Sequence, residues 1–190
     1  MRLFVDNLCN VDFSYLCPKR GLLGETWLAH IELVGDLDDQ GMVCDFGIVK
    51  KQLREWLDTE LDHRLLVPTE AAGCQLQSST EQLTVKFNLD NGNTITTAGP
   101  VQALTLIDAE TINIQSVAEW CQRQLASAFG AGVEQVKLNF TPEAIDTPYY
   151  HYSHGLKKHA GNCQRIAHGH RSKLLIWRDD QLANELIATW

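Results

Sequence analysis

The sequence predicts an α+β fold in which an antiparallel sheet carries two helices on one face. Five segments have the alternating or short apolar pattern of strands: residues 2–16, 26–37, 133–140, 149–156 and 168–177. Two other segments, which begin near residues 46 and 113, repeat their apolar side chains at helical spacing. Strands and helices in this order are typical of an α+β sandwich.

The first two strands are predicted to form an antiparallel hairpin. Between Trp27 and Leu33 the larger apolar side chains recur at every second position, whereas His30 and Glu32 fall on the opposite face. We expect a long connecting loop around Pro18 and Gly24 because both residues interrupt the strand pattern.

Capping residues and apolar periodicity define the two helices. Asp45 is placed to cap the first helix, which reaches about residue 61. Its apolar residues share one face: Phe46, Val49, Leu53, Trp56, Leu57 and Leu61. The second helix is predicted from about Asn113 to Phe129, where Gly130 ends it. Its buried stripe consists of Ile114, Val117, Cys121 and Leu125.

A polar insertion separates the two helices. Pro68 and the Ser-rich stretch at residues 71–80 are predicted to form a loop, and residues 83–96 a hairpin. Asn91 and Gly92 supply the positive backbone angles that a tight hairpin turn requires. Near the end of the chain, residues 179–190 again show helical spacing.

Composition narrows the class of protein. The 190 residues carry a formal net charge of -8, which argues against a surface that binds nucleic acid or anionic membranes. The sequence shows neither a signal peptide nor a membrane-spanning apolar run, so we expect a cytoplasmic protein that acts on a small molecule. The six cysteines form no CxxC pair, and we interpret them as reduced thiols.

A histidine-rich string is the strongest indication of chemistry. His168 and His170 are two residues apart, so on a strand both imidazoles point to one face, and His154 on the preceding strand could complete a three-nitrogen site. Three imidazoles with an open fourth position suit catalytic zinc. Cys163 would lie beside the metal as a nucleophile. Two alternatives stay open: solvated histidines on one sheet face, and an inert buried thiol.

Asp62 and His63, at the end of the first helix, form a second candidate group. A carboxylate can orient a histidine and stabilise its cationic form, which makes the imidazole a competent acid or base near neutral pH. The alternative is a helix cap or a solvated pair.

Three strings occur together: GMVCDF at residues 41–46, LDH at residues 61–63, and Cys163 followed by HGH at residues 168–170. This combination resembles the 6-pyruvoyltetrahydropterin synthase and 6-carboxytetrahydropterin synthase family. The strand-strand-helix-helix-strand-strand unit of that family is called the T-fold, so the resemblance implies a T-fold with its helices on one face of the sheet.

The resemblance also implies a metal and a reaction. It implies Zn2+ on three histidines: His154, His168 and His170. Cys163 would be the proton-transfer residue, assisted by Asp62 and His63. The implied substrate is a reduced or dihydro pterin triphosphate such as 7,8-dihydroneopterin triphosphate, and the implied assembly is a homo-oligomer with sites between subunits. The carboxy-forming branch yields 6-carboxytetrahydropterin and acetaldehyde for 7-deazaguanine and queuosine synthesis, whereas the pyruvoyl-forming branch yields a biopterin precursor.

The chain departs from the family pattern at two places. Residues 12–14 and 24–26 stand where zinc ligands of the first hairpin are expected, so we predict that this unit has lost its own metal site. Phe140 stands where the family has the glutamate that grips the pterin ring, and Glu110 and Glu143 are out of register with it. The substrate-binding residue therefore stays unknown.

These departures predict a tandem arrangement. Residues 1–147 would form an N-terminal T-fold unit with the Asp-His motif and an inserted hairpin at residues 69–107. Residues 148–190 would carry the zinc motif as the start of a second, incomplete T-fold unit.

Three functions are compatible with this sequence. The first is a zinc-dependent lyase, most simply a 6-carboxytetrahydropterin synthase, with 6-pyruvoyltetrahydropterin synthase activity as the alternative. The second keeps the fold and the metal but binds a pterin or purine without turnover. The third is an oligomerising scaffold that binds no metal.

Overall fold

The structure is a computed structural model that describes residues 1–37, 39–80, 82–126, 133–154 and 168–189, and for His154 the backbone only. The elements in chain order are β1 (Arg2–Cys17), β2 (Gly21–Gly35), α1 (Phe46–Glu60), β3 (Leu65–Pro68), β4 (Cys74–Ser78), β5 (Leu83–Asn88), β6 (Thr94–Gly99), a 3-10 turn (Val101–Ala103), β7 (Leu104–Ile107), α2 (Ile114–Leu125), β8 (Val133–Pro142), β9 (Tyr149–His154), β10 (His168–Lys173), β11 (Trp177–Arg178), β12 (Gln181–Leu182) and α3 (Asn184–Ile187).

The main sheet has five strands in the order β7-β3-β1-β2-β8. β1, β2 and β8 pair in antiparallel fashion, as predicted. The prediction of a long loop around Pro18 and Gly24 is wrong. β2 already begins at Gly21, and Gly24 pairs with Ser14 inside the hairpin. Gly21 adopts a φ of 85°, which lets the chain turn back within a few residues.

Two short strands that the sequence pattern did not predict extend this sheet. β3 pairs in parallel with β1, and β7 pairs in parallel with β3. All four residues of β3 are buried, so the strand shows no alternation of polar and apolar side chains. β7 lies within residues 69–107, which were assigned to the insertion, yet it belongs to the main sheet.

The two predicted helices are present: α1 begins after its predicted cap, Asp45, and α2 begins next to its predicted start at Asn113. The Asp45 side chain accepts hydrogen bonds from Gly47 N at 3.0 Å and Ile48 N at 3.1 Å. Asn113 forms a capping box with Ser116 at the start of α2. α2 ends at Leu125, earlier than the predicted end at Phe129 and Gly130, and those two residues lie outside the described ranges. No helix in the described ranges is long and apolar enough to cross a membrane.

The apolar faces of both helices pack with the sheet in one core. Val49, Leu53 and Leu57 come from α1, and Val117, Cys121 and Leu125 come from α2. Cys121 is fully buried, and desolvation raises the pKa of its thiol far above the ordinary range. The other described cysteines also carry free thiols, as predicted: Cys9, Cys17, Cys44 and Cys74.

The insertion is larger than the predicted hairpin. β5 and β6 form that hairpin, and Gly92 has the expected positive φ of 85°. The prediction of a loop at residues 71–80 is wrong, because β4 pairs with β5. The strands β4, β5 and β6 form a sheet of three strands. Residues of β4 are mostly exposed, so the strand lacks the apolar pattern that would have revealed it. A second core joins this sheet to β3 and β7.

The histidine strands form a separate hairpin. β9 pairs in antiparallel fashion with β10, and the pair packs against β1 and β2. The strand expected at residues 168–177 is shorter, since β10 ends at Lys173 and Trp177 starts β11. The expected end of β9 at Leu156 lies outside the described residues. The helical tail predicted at residues 179–190 is only partly present, because Asn184–Ile187 forms the short helix α3 while Gln181 and Leu182 form β12.

Leu53 provides a test of this packing. Leu53 is fully buried between α1 and the sheet, so we expect Leu53→Ala to lower the free energy of unfolding by about 2–5 kcal/mol. Ile48→Ala on the same helix is the matched control, because Ile48 is 55% exposed and should change stability by less than about 0.5 kcal/mol. Urea denaturation of both variants gives the comparison, and equal effects would contradict the packing of α1.

Candidate functional site

Asp62 and His63 lie where the chain leaves α1 and returns to the sheet. His63 adopts a φ of 56°, so the chain reverses direction within this pair. The Asp62 carboxylate contacts His63 Nδ1 directly, and its Oδ1 accepts a hydrogen bond from Asp12 N at 2.7 Å. His63 N in turn donates to Asp12 O at 2.6 Å. The pair is therefore fixed to the edge of β1 and is not merely a solvated helix end.

Burial and hydrogen bonding act on Asp62 in opposite directions. Desolvation raises the pKa of Asp62, while the hydrogen bond from Asp12 N and the neighbouring His63 lower it. The Asp62 side chain is 15% exposed, whereas that of His63 is 37% exposed. A held carboxylate beside a more accessible imidazole is the arrangement that orients a general acid or base.

Asp12 and Thr26 support this pair from the first hairpin. Thr26 Oγ1 donates a hydrogen bond of 2.6 Å to Asp12 Oδ1. Thr26 pairs with Asp12 across β1 and β2, and its side chain is buried. Sequence reasoning did not assign either residue a role, although it noted that their segments depart from the family pattern.

The structure brings the Asp-His motif to the histidine motif within one chain. The rings of His63 and His168 lie with their centroids 4.4 Å apart and their planes at 70°. His168 is only 6% exposed. Two strings that are more than one hundred residues apart in sequence therefore meet at one place.

The backbone register of the β9–β10 hairpin relates the three histidines that are predicted to bind zinc. His168 is paired directly with His154, and His170 is two residues farther along the same strand, opposite Tyr152. Among the side chains that the structure describes, no three of the types His, Cys, Asp and Glu lie close enough to hold a metal ion. The His154 side chain is not among them, and the predicted proton carrier Cys163 lies outside the described residues.

Phe140, the residue predicted to replace the ring-binding glutamate, has a buried environment. Phe140 is 2% exposed and packs against the Trp27 ring with a centroid distance of 5.7 Å, so it is part of the core. Glu143 and Glu110 are exposed, and Glu143 N donates to Thr26 O at 3.0 Å.

One cavity in the described part of the chain is a separate feature. It has a volume of about 810 Å³ and lies between the sheet and α2. His30 lines it and bonds through Nε2 to Thr141 Oγ1 at 2.8 Å. The lining includes neither Asp62, His63 nor His168, so this cavity is not part of the histidine site.

Known proteins resemble this chain over most of its length. The sequence profile of the 6-pyruvoyl tetrahydropterin synthase family matches residues 17–147. A Pyrococcus horikoshii protein named "Putative 6-carboxy-5,6,7,8-tetrahydropterin synthase" is 23% identical over 128 residues, which make up 67% of this chain and 73% of that protein.

Two solved structures share the fold. The 6-pyruvoyl tetrahydropterin synthase of Plasmodium vivax superposes with a TM-score of 0.53 at 18% identity, over 66% of this chain and 77% of that one. The 6-pyruvoyl tetrahydropterin synthase of Plasmodium falciparum gives a TM-score of 0.55 at 12% identity, over 75% of this chain and 98% of that one. At these identities the likeness concerns the fold, and it confirms the predicted T-fold.

A double-mutant cycle tests the support from the first hairpin. Asp12→Ala leaves the buried Thr26 hydroxyl without its acceptor, and Thr26→Val removes the donor. We expect a coupling free energy of about 1.5–3 kcal/mol between the two positions, as for hydrogen bonds to charged groups. Urea denaturation of the single and double variants measures it, and additive effects would show that this hydrogen bond contributes nothing.

Proposed function

Because this chain belongs to the 6-pyruvoyl tetrahydropterin synthase family, we propose that it is a zinc-dependent pterin synthase-like lyase that acts on 7,8-dihydroneopterin triphosphate. The observation that carries the proposal is the contact between the His63 and His168 rings. This contact joins a candidate acid-base pair to a candidate metal site, and the reaction that the family implies needs both.

The register of the β9–β10 hairpin supports the proposed zinc site. His154 and His168 are direct cross-strand partners, and His170 follows His168 at the spacing that keeps it on the same face. Three imidazoles with a free fourth position are a donor set that suits catalytic zinc. A zinc ion bound there would polarise the vicinal hydroxyls of the substrate side chain and acidify the adjacent C–H.

Protons would be moved by residues of this chain. The Asp62 carboxylate orients the His63 imidazole, while the Asp12 backbone fixes the carboxylate on its other side. His63 therefore presents a ring nitrogen beside the histidine hairpin, where it can take up or deliver a proton. We assign Cys163 as its proton-transfer partner on the basis of the family resemblance.

We propose 6-carboxytetrahydropterin as the product, in the queuosine and 7-deazaguanine pathway. The name of the Pyrococcus horikoshii relative supports this branch at 23% identity. The names of the Plasmodium structures support 6-pyruvoyltetrahydropterin synthase activity as the alternative. Both branches would use the same histidines and the same acid-base pair, and we propose that the enzyme acts as a homo-oligomer.

Binding without turnover is a second candidate, favoured by Phe140. This residue is buried in the core where the family places the carboxylate that grips the pterin ring. A pterin whose ring donors lack that partner would lose about 1–3 kcal/mol for each unpaired group. A protein with this defect could retain the metal and a weak affinity for pterins or purines without converting them.

The arrangement of motifs supports a division into two units. The family profile ends at residue 147, immediately before β9, and includes Asp62 and His63 but none of the three zinc histidines. We therefore propose an N-terminal unit at residues 1–147 and a zinc-motif segment at residues 148–190. The second segment supplies the metal ligands and the first supplies the acid-base pair.

Zinc content tests the metal site. We expect about one zinc per chain in the purified protein and its loss in His168→Ala, because one of three nitrogen ligands is removed. His30→Ala is the matched control, since His30 lies at the separate cavity and should leave the zinc in place. Mass spectrometry of the metal in all three proteins decides, and a wild type without zinc would rule out the metal mechanism.

Turnover tests the acid-base pair independently of the metal. We expect His63→Ala to retain its zinc and to lower kcat by about 10²–10⁴, the usual contribution of a positioned acid or base. Acetaldehyde released from 7,8-dihydroneopterin triphosphate measures the carboxy-forming branch, with His30→Ala again as the control. Pterin binding with no product in the wild type would support the second candidate instead.

A further inference from the structure

The β9–β10 hairpin touches β1–β2 backbone to backbone at a pair of glycines. A Cβ atom on Gly24 would lie 1.9 Å from Tyr152 O, 2.6 Å from His170 N and 2.8 Å from Gly169 C. A Cβ atom on Gly169 would lie 2.8 Å from Gly24 Cα. All of these neighbours are backbone atoms, so no side-chain rotation can make room. The two hairpins can approach this closely only because both positions are glycine.

Charged residues beside the glycines hold the two hairpins together. Glu25 Oε2 lies 3.0 Å from Arg171 Nε, and Glu25 Oε1 lies 3.7 Å from His151 Nδ1. His151 Nδ1 is also 2.8 Å from Gly24 O, and Trp27 Nε1 donates to Glu25 Oε2 at 3.3 Å. Glu25 therefore connects β2 with both strands of the histidine hairpin.

This cluster is largely removed from solvent. The side chains of Glu25, Arg171 and His151 are 12%, 9% and 14% exposed. Ion pairs at exposed surfaces contribute little, but removal of one partner from a buried pair leaves an uncompensated charge. The Arg171 guanidinium also lies over the Tyr149 ring at 5.0 Å, which ties the cluster to the start of β9.

The cluster adjoins both the glycine contact and the histidines. Arg171 follows His170 directly, and Gly169 separates His168 from His170. From β1, the Ser14 hydroxyl forms a hydrogen bond of 2.9 Å with the Ser153 hydroxyl, next to the end of β9. The position of His168 relative to His63 thus follows from how β10 sits on β2.

We propose that Gly24 and Glu25 are positioning residues: together they seat the β9–β10 hairpin at the distance from β1–β2 at which His168 meets His63. The inference rests on the proposed function for its catalytic consequence, but the seating itself does not require a metal. It also gives residues 12–14 and 24–26, where zinc ligands of the first unit were expected, a different role. Among them, Ser14, Gly24 and Glu25 contact the histidine hairpin of the following segment, whereas Phe13 packs in the core.

Two variants and one control test the seating in the whole chain. Gly24→Ala adds the atom that collides with β9 and β10, and Glu25→Gln removes the charge while preserving the shape of the side chain. Gly47→Ala is the control, because a Cβ there meets only the Asp45 side chain at 3.4 Å. Amide hydrogen exchange and NMR contacts between the His63 and His168 rings are recorded on metal-free protein.

We expect amide protection in β9 and β10 to fall at least tenfold in Gly24→Ala and Glu25→Gln, with α1 and the β2–β8 pairing unchanged. The contact between the His63 and His168 rings should also disappear in both variants. In the zinc-loaded protein kcat should fall by about 10²-fold while KM changes little, since misplacement by about 1 Å costs this much. The control should behave as the wild type.

Unchanged hairpin protection and a retained ring contact in both variants would overturn the proposal. An equal loss of amide protection in α1 and β2 in both variants would also overturn it. Gly24 and Glu25 would then stabilise the first hairpin and not its contact with the β9–β10 hairpin. If the wild type shows the ring contact but no turnover, the proposed function fails and the seating stands. If turnover survives in a variant that has lost the ring contact, the seating carries no catalytic role and the proposed function stands.

Discussion

The backbone of Asp12, at the edge of β1, holds the chain as it leaves α1. Its N–H donates to the Asp62 side chain, and its carbonyl accepts from His63 N. Two residues farther on, Ser14 N donates to Arg64 O at 3.1 Å, and from there β3 continues in parallel with β1. The same hydrogen-bond ladder therefore ends α1, starts β3 and fixes Asp62 and His63. The pair is organised by the sheet before any ligand binds.

Residues at alternate positions of β1 and β2 point to opposite faces of the first hairpin and contact two different neighbours. Phe13 and Trp27 lie in the core with the helices, where their rings meet edge to face at 4.7 Å. Ser14 and Gly24 belong to the alternate positions and contact the β9–β10 hairpin. A shift of one residue in the register of β1 and β2 would exchange the two sets and would abolish both contacts at once.

Local signals in the sequence were sufficient to locate the helices and the candidate residues Asp62 and His63. Asp45 and the apolar period placed α1 correctly, and Asp62 and His63 were found from their position at its end. β3 and β7 could not be found in the same way, because each has four residues and exists only through pairing with a distant strand. β4 is exposed and carries no apolar alternation.

In the candidate site, too, some features could be predicted from neighbouring residues, whereas others depend on contacts between segments that are distant in the sequence. The sequence predicted a zinc site from His154, His168 and His170, and in the structure the backbone of His154 pairs with that of His168. The contact of His168 with His63 depends on the packing of one hairpin on another, which no local pattern encodes. Gly24 and Glu25 stood out only as departures from a family pattern, and their role required knowledge of what lies across from them.

The parallel pairing of β3 with β7 has a consequence for how this chain can change in length. Parallel neighbours cannot be joined by a tight turn, and here the three-stranded sheet β4–β5–β6 makes the crossover that a helix usually makes. The crossover must span the length of β3, about 13 Å for four residues, and must bury the apolar face that it shares with β3 and β7. Within those limits, evolution or an engineer could enlarge the loops of this module, for example to attach a recognition domain, without moving β1, which carries Asp12, or the turn that carries His63.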